Sequence, residues 1–598
     1  MRGQRWAGDE DRRRRVRRAL LRVLGGVALL VVIVCLFLVY ETFQARGELT
    51  RAEDQARELR VQVTAGEVDA ARSKLAELKD STRAAESHTD GPLWSVAART
   101  PLVGQNFAAI HDVSRVLRAI ADDGLTPLVD IADQVNAEAF SPRNGRIDIE
   151  AIRELSPGLQ KADLALSRGW RDLQAIDVEA LAGPLQRPVT DVQAKVDDAR
   201  STVVAGSKAS QLIPDMLGGS GNRTYVLAFQ NNAEIRSSGG IPGAFAILRA
   251  KDGRIRLGGQ GTASAFQVFE ENPPIGTTAD EKRLYSILLT RFWADTTLTP
   301  DFPRTAEIMR AMIREDRDLK TDGVISVDPV ALSYILEATG PVKLADGSSL
   351  TSDNAVKRLL NDVYREIRGN TAQDDYFADA ASRVFAAVTS GTGGSRALLA
   401  GMAKAVGENR ILIESSRGAE QRIVESTRIA GALPGDQGST PHLGIYYNDA
   451  TQAKLQYYLR KDTAVKATTC TSDGVQSFTA TTRLRSVAPR NVRSLPGSIV
   501  GPGTGEKRGS FRMVMSFYAP YGGLVNRLEI DGKEQPLNRF EHDGINVVTI
   551  PVLLAPGQEK TVKATMFTGK DQREDGVFAT TPGIEVTPNN VTVSSACD

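Results

Sequence analysis

The run Asn231-Asn232-Ala233-Glu234-Ile235-Arg236-Ser237-Ser238-Gly239-Gly240 gathers groups that can handle phosphate. The Arg236 guanidinium can grip two phosphate oxygens at once. Ser237 and Ser238 supply hydroxyl donors, and Gly239 and Gly240 let consecutive backbone N–H groups form an anion-binding nest. The same residues also fit a polar loop in which Arg236 pairs with Glu234 or a neighbouring acid and the glycines only permit the turn. A Mg²⁺ ion would need oxygen ligands, for which Glu234, Asp295 and Asp301 are the candidates; such acids also serve as solvated or salt-bridged surface groups.

Other chemistry is poorly served. His88, His111, His442 and His542 are scattered and form no tight ligand pair. There is no CxxC pair, no GxSxG elbow and no GxxxxGK[ST] phosphate loop. Asp374 and Asp375 are adjacent in a helical pattern and point apart, so they do not make an acid–base dyad. Trp94, Trp170 and Trp293 could stack on sugars, but their amphipathic surroundings suit core packing.

The elements that would carry these residues start with a strongly polarised N-terminus. The chain has 598 residues and a net charge of +1, with 41% hydrophobic and 25% charged residues, the balance of a globular protein. Residues 1–22 hold nine arginines and three acids. Val23 to Tyr40 then runs eighteen residues without a charge, a length of about 27 Å as a helix against a bilayer core of about 30 Å. Arg12, Arg13, Arg14, Arg15, Arg17, Arg18 and Arg22 precede it, so the positive-inside bias predicts a cytoplasmic tail over 1–22, a single-pass anchor over 23–40, and everything beyond outside the cell. The positive charge sits beside an apolar run and not on a folded face, which argues against nucleic acid as a partner. Cys35 falls in the anchor. Cys470 and Cys597 are an even pair in an oxidising space and predict a disulfide, with two buried thiols as the alternative.

Beyond the anchor, Leu49, Ala52, Ala56, Leu59 and Val63, then Val68, Ala71, Leu75 and Leu78, repeat at helical spacing. A coiled-coil stalk or one helix of a bundle would both give this pattern. The frequent alanines favour packing within the chain. GPLW at 91–94 and RTPLVG at 99–104 interrupt it, and more helix is predicted near 148–175 and 188–213. Residues 41–215 therefore read as a membrane-proximal helical region. PDMLGGSGNR at 214–223 is a linker by composition. From 216 to 440, strands TYVLAFQ and AFAILRA, helical patterns and DGVISVDP predict an α/β domain, with Asp328 and Pro329 starting a helix and GPVKL at 340–344 a further strand. From 441 to 598 helix signals vanish and short alternating strands predict an antiparallel, immunoglobulin-like β-sandwich.

YVLAFQNNAEIRSSGGIPGAFAILRAKDGRI resembles the signature of a bacterial, actinobacterial-type envelope family defined only as a domain of unknown function. The likeness covers most of the exported chain, including its anchor and helical stalk. More distantly, the order of strand, Arg-bearing turn and strand, followed by DLKTDGVISVDPVALSYILEATGPVKL, is similar to the LytR-CpsA-Psr family. That resemblance implies an α-β-α domain that joins lipid-linked anionic glycopolymers to peptidoglycan, with pyrophosphate held by arginines and Mg²⁺ by aspartates. Arg236 matches the first-loop arginine, with Asn231, Asn232 and Glu234 standing where the family has an acid. Arg304 in DFPR and Arg383 in DDYFADAASRVF are the nearest matches to the other arginine positions. The expectation is a membrane-anchored extracytoplasmic protein. It either binds or scaffolds wall polymers or envelope proteins, or transfers a polyprenyl-linked saccharide to the wall, or serves as a structural spacer.

Overall fold

The computed structural model describes residues 5–131, 142, 145–270, 273–391, 394–501, 507–586 and 589–597, with the backbone alone for 5–21, 23–25, 64, 395 and 493. The arginines expected to orient the N-terminus, Arg12 to Arg18, have side chains outside the described ones. The chain divides into two compact units: residues 1–139 with 150–213, and residues 140–149 with 214–598.

The first unit is helical. Helix α1, Arg5–Ala65, is one uninterrupted element, about 90 Å long at the helical rise. The apolar run and the first heptad-like stretch are therefore one helix and not two. Among the described residues, the part of this helix from Gly26 to Val63 is long and apolar enough to cross a membrane, and almost none of its most apolar window is buried in protein. Gly66, at φ +77°, makes the turn into α2, Val68–Thr89. Ala52 and Leu59 of α1 then pack against Ala71, Leu75 and Leu78 of α2 within the chain. Short α3, Pro92–Ala97, precedes α4, Gly104–Ala119, and α5, Thr126–Asp130. The long helices α6, Ile149–Gln174, and α7, Gly183–Met216, complete the unit. Val113, Val116 and Ile120 meet Ala162, Leu166, Leu173, Val189 and Val196 in its core.

The second unit begins with a mixed sheet. Its strands are β1, Arg223–Arg236; β2, Gly239–Lys251; β3, Arg254–Thr262; β4, Gly323–Val327; and β7, Ile411–Ser415, in the order β3-β2-β1-β4-β7. β1 and β4 are parallel and the other neighbours antiparallel. Alternation in β1 sends Val226 and Ala228 to a core with Trp293, Phe302, Met309 and Met312, while Tyr225 and Leu227 face Phe385 on the other side. Helices on both faces make this the α/β layer. Asp328 caps the helix Pro329–Thr339, accepting from the Ala331 N–H at 2.7 Å. The GPVKL segment differs from expectation. Its strand β5, Val342–Lys343, pairs only with β6, Ser349–Leu350, in a separate ribbon outside the main sheet, because β7 occupies the edge beside β4.

Two further sheets follow. One has the order β13-β12-β16-β10-β9, built from β9, Leu459–Cys470; β10, Gln476–Ser486; β12, Leu524–Ile530; β13, Lys533–Glu534; and β16, Glu559–Phe567. The other has the order β14-β15-β11-β8-β17-β18, built from β8, His442–Asp449; β11, Phe511–Tyr518; β14, Asn538–His542; β15, Ile545–Leu554; β17, Gly576–Thr580; and β18, Val591–Val593. Phe478, Leu484, Val562 and Met566 of the first share a core with Ile445, Tyr447, Met515 and Phe517 of the second. The expectation of purely antiparallel pairing fails at one place. β17 runs parallel to β8, because the chain returns to this sheet only after completing β16 in the other. Cys470 and Cys597 form a disulfide that fastens the C-terminus to the end of β9.

Candidate functional site

β1 outruns its sheet. Its register with β2 shifts after Phe229 and again between Asn231 and Ile235, so the strand bulges where it leaves the α/β layer. The Ile235 side chain is inserted into the core shared by the two C-terminal sheets. The motif is thus the junction between the α/β layer and the β-sheets, and most polar groups in it have a protein partner, Asn232 Oδ1 and Arg236 Nε being buried without one.

Gln230 Oε1 accepts from the Gly240 N–H at 2.9 Å. Gly239 sits at φ +136°, and a Cβ there would lie 1.9 Å from that same oxygen, so a side chain would displace the Gln230 amide and break its bond to Gly240. Asn231 donates from Nδ2 to the Tyr364 hydroxyl at 2.9 Å and accepts from the Ala233 N–H at 3.0 Å. Asn232 donates from Nδ2 to Asp328 Oδ2 at 3.1 Å. The Ser237 N–H donates to Asn448 Oδ1 at 2.9 Å, and the Ser237 carbonyl accepts from the Thr581 hydroxyl at 3.0 Å. Ser238 donates from its hydroxyl to the Thr299 carbonyl at 2.6 Å, and its N–H donates to the Thr297 carbonyl at 3.3 Å. The Gly240 amide expected to line an anion nest is therefore used inside the protein.

Arg236 is 7% exposed. Its Nη2 donates to Asp295 Oδ1 at 3.0 Å and its Nη1 to the Asp449 carbonyl at 3.1 Å. The guanidinium bridges a short helical turn of the α/β layer and the end of β8. Of the two arrangements legible in the sequence, Arg236 adopts the pairing with an acid, and that acid is Asp295, not Glu234. Arg304 and Arg383 do not join it. Arg304 reaches Glu281 at 2.7 Å and Glu307 at 2.6 Å, while Arg383 holds Asp379 at 2.6 Å on an exposed helix face. The three residues meet different partners, so the arginine cluster implied by the distant resemblance is not assembled.

The expected Mg²⁺ ligands are separated too. Glu234 pairs with Lys454 at 3.0 Å and Asp295 with Arg236. Asp301 caps the helix Phe302–Arg317 and accepts from the Leu433 N–H at 2.9 Å; burial pushes its carboxyl up to about 6. Among the described residues, no group of three or more His, Cys, Asp or Glu could hold a metal ion.

The structure adds residues that sequence reasoning passed over. The side chain of Arg410 is fully enclosed. Its Nη1 donates to Asp328 Oδ2 and to the Gly583 carbonyl, both at 2.8 Å, and its Nη2 to the Glu585 carbonyl at 2.8 Å. Glu408 completes the set, pairing with Arg410 at 2.5 Å and accepting from the Tyr334 hydroxyl at 3.0 Å. Next to this network lies a narrow cleft lined by Asn232, Ile235, Gln456, Leu459, Lys461 and residues 583–585. Asn232 Oδ1 and Gln456 Oε1, both buried, have no hydrogen-bond partner. Lys461 is half-buried as a residue, but the protein packed round its ammonium desolvates it, and with Arg410 nearby its pKa is pushed down to about 7. One signal for it was available: strand alternation puts Lys461 on the same face as Leu459 and Thr463, the face that looks inward.

Residues 220–364 match the family described as "Protein of unknown function (DUF4012)", which takes in β1 to β6 and the whole motif. No curated protein and no solved structure matches the chain.

Proposed function

We propose that this chain is a single-pass membrane protein of the cell envelope, with its N-terminus in the cytoplasm and its bulk outside. There it acts as a binding or scaffold element for wall polymers or envelope partners, not as a phosphotransferase. The anchor reading rests on the apolar stretch of α1. The direction of insertion rests on the arginine-rich flank before it. In this reading the α/β layer is a relative of the LytR-CpsA-Psr domain, the C-terminal sheets are an immunoglobulin-like module, and the ancestral anion site has become a junction between them.

One observation carries the choice against transfer chemistry. Arg236, the residue that would clamp a pyrophosphate, is enclosed and already bound to Asp295 and the Asp449 carbonyl. A ligand phosphate would have to displace both partners and leave the Asp295 carboxylate without its partner. The test uses the full chain in nanodiscs, titrated with a polyprenyl pyrophosphate with and without Mg²⁺. No saturable binding is expected. Mg²⁺-dependent binding that Arg236→Lys abolishes, with the thermal transition retained, would overturn the reading in favour of the transferase. Crosslinking in cells should recover wall glycan or an envelope protein, and recovery of neither would count against a scaffold.

A further inference from the structure

The interruption at residues 91–104 has an unusual surface. Arg99 is the one charged residue from 91 to 109. Trp94 and Ala97 of α3 are buried against Leu38 of α1, with Val34, Phe107 and Ile110 packed around them. Trp94 stacks edge-on against Phe107 at 5.1 Å and donates from its indole N–H to the Phe107 carbonyl at 2.9 Å. These contacts fix where the turn sits. Leu38 and Val34 belong to the uncharged run that ends at Tyr40. Val34 lies about 9 Å inside that end, measured along the helix. α3 is therefore seated beside the apolar segment itself and not beyond it.

From that seat the turn points apolar side chains outward. Leu93, Val96 and Val103 are exposed, and Leu102 is 93% exposed. Leu102 also sits at φ +69°, a left-handed conformation that a bulky residue rarely adopts. Scattered exposed apolar residues are ordinary on a soluble surface. Here four of them share one turn held against an uncharged helix. The backbone of the turn is partly closed on itself. The N–H groups of Ser95, Ala98, Arg99, Thr100 and Gly104 donate to carbonyls between Gly91 and Thr100, and Pro92 and Pro101 have no N–H to satisfy. Gly104 allows the tight closure, since a Cβ there would lie 2.4 Å from the Ala98 carbonyl oxygen. This bonding lowers the cost of approaching lipid, and the amides of Leu102 and Val103, which have no backbone acceptor, are left to the water and headgroups of the interface.

We propose that the turn from Pro92 to Val103 is inserted in the outer leaflet of the bilayer beside α1, with Leu93, Val96, Leu102 and Val103 in contact with acyl chains. Arg99 extends from it to the phosphates at the surface, as a long cationic side chain at this depth does. The inference rests on α1 crossing the membrane. It gives the helical unit a second point of contact with lipid, so that α1 is not free to spin about its own axis.

The test is a set of versions of the full chain with one free cysteine, in a Cys35→Ser background that keeps the Cys470–Cys597 bridge oxidised, labelled with NBD at Leu36→Cys, Leu102→Cys or Val61→Cys. The proteins are placed in phosphatidylethanolamine–phosphatidylglycerol vesicles carrying brominated acyl chains. Leu102 is so exposed that its replacement leaves the packing intact. The expected result is blue-shifted emission with strong bromine quenching at positions 36 and 102, and aqueous emission without quenching at 61. Quenching at 36 but not at 102 would overturn the inserted turn while leaving the anchor intact. Loss of quenching at 36 would overturn the anchor, and the inference with it.

Discussion

Ser237 and Asn448, 211 residues apart in the chain, hold one another by two hydrogen bonds. The Ser237 N–H donates to Asn448 Oδ1 at 2.9 Å, and Asn448 Nδ2 donates to Ser237 Oγ at 3.0 Å. The same amide nitrogen also donates to the Leu298 carbonyl at 3.0 Å. One side chain at the end of β8 thereby satisfies two segments of the α/β layer.

Asn448→Ala leaves three buried polar groups without partners. Each such loss costs about 1–3 kcal/mol, and relaxation recovers part of it. The expected destabilisation is about 2–4 kcal/mol, read from urea unfolding of the second unit. Residues 214–598 of the parent should unfold in one transition. Two well-separated calorimetric peaks would contradict the junction described here.

Arg236→Ala should be more severe than its surface counterparts, because it strands the Asp295 carboxylate. Removing one partner of a buried ion pair costs about 3–5 kcal/mol. Arg236→Ala with Asp295→Ala should cost less than the sum of the two single changes, as expected of residues in contact. Additive losses in denaturant titrations would show that the pair is not coupled. Arg383→Ala, by contrast, removes an exposed pair and should shift stability by less than about 1 kcal/mol.

Lys461 makes a prediction with a definite sign. Its pKa in the folded protein, about 7, lies below the ordinary 10.5, so the unfolded chain holds the proton more tightly. Stability contributed by this residue therefore rises as pH increases from about 7 towards 10.5, and is constant and unfavourable below that window. Lys461→Met should stabilise the protein at pH 7 and below by about 1–3 kcal/mol and flatten the alkaline rise. Parallel unfolding curves for parent and variant across pH 6–10 check this, the difference between them being the quantity of interest.

The Cys470–Cys597 bridge closes a loop over a separation of 127 residues. Its loss, by Cys597→Ser or by reduction, should cost about 2–5 kcal/mol. The effect should be concentrated at β9 and the C-terminal segment, where faster amide exchange is expected. Uniform exchange throughout the second unit would mean that the bridge does more than hold one end.

Much of the architecture was legible in short-range pattern. The 3–4 spacing of Ala52, Leu59, Ala71 and Leu75 forecast helices that pack within the chain, and that is how α1 and α2 meet. Asp328-Pro329 marked a helix start, and the capping hydrogen bond to Ala331 is present. The strands either side of the SSGG turn were visible in their alternation. The purpose of the turn was not. An Arg-Ser-Ser-Gly-Gly run with no local partner looks the same whether it waits for a phosphate or for Asp295, Asn448 and Thr581, and those partners lie far along the chain. Arg410 was invisible for the same reason. Its donors go to Asp328 on one side and to the carbonyls of Gly583 and Glu585 on the other, and no local periodicity encodes such a bridge.

The distance along the chain between Ser237 and Asn448 also sets an order of events during synthesis. At about 5–20 residues per second, the ribosome needs about 10–40 s to deliver the asparagine after the serine. For that interval the first hairpin has neither the mate for Ser237 nor the hydrophobic receptacle for Ile235. Until the last sheets have emerged, the motif is without these partners. A chain truncated before those sheets would lack both partners and leave Ile235 without its apolar surroundings.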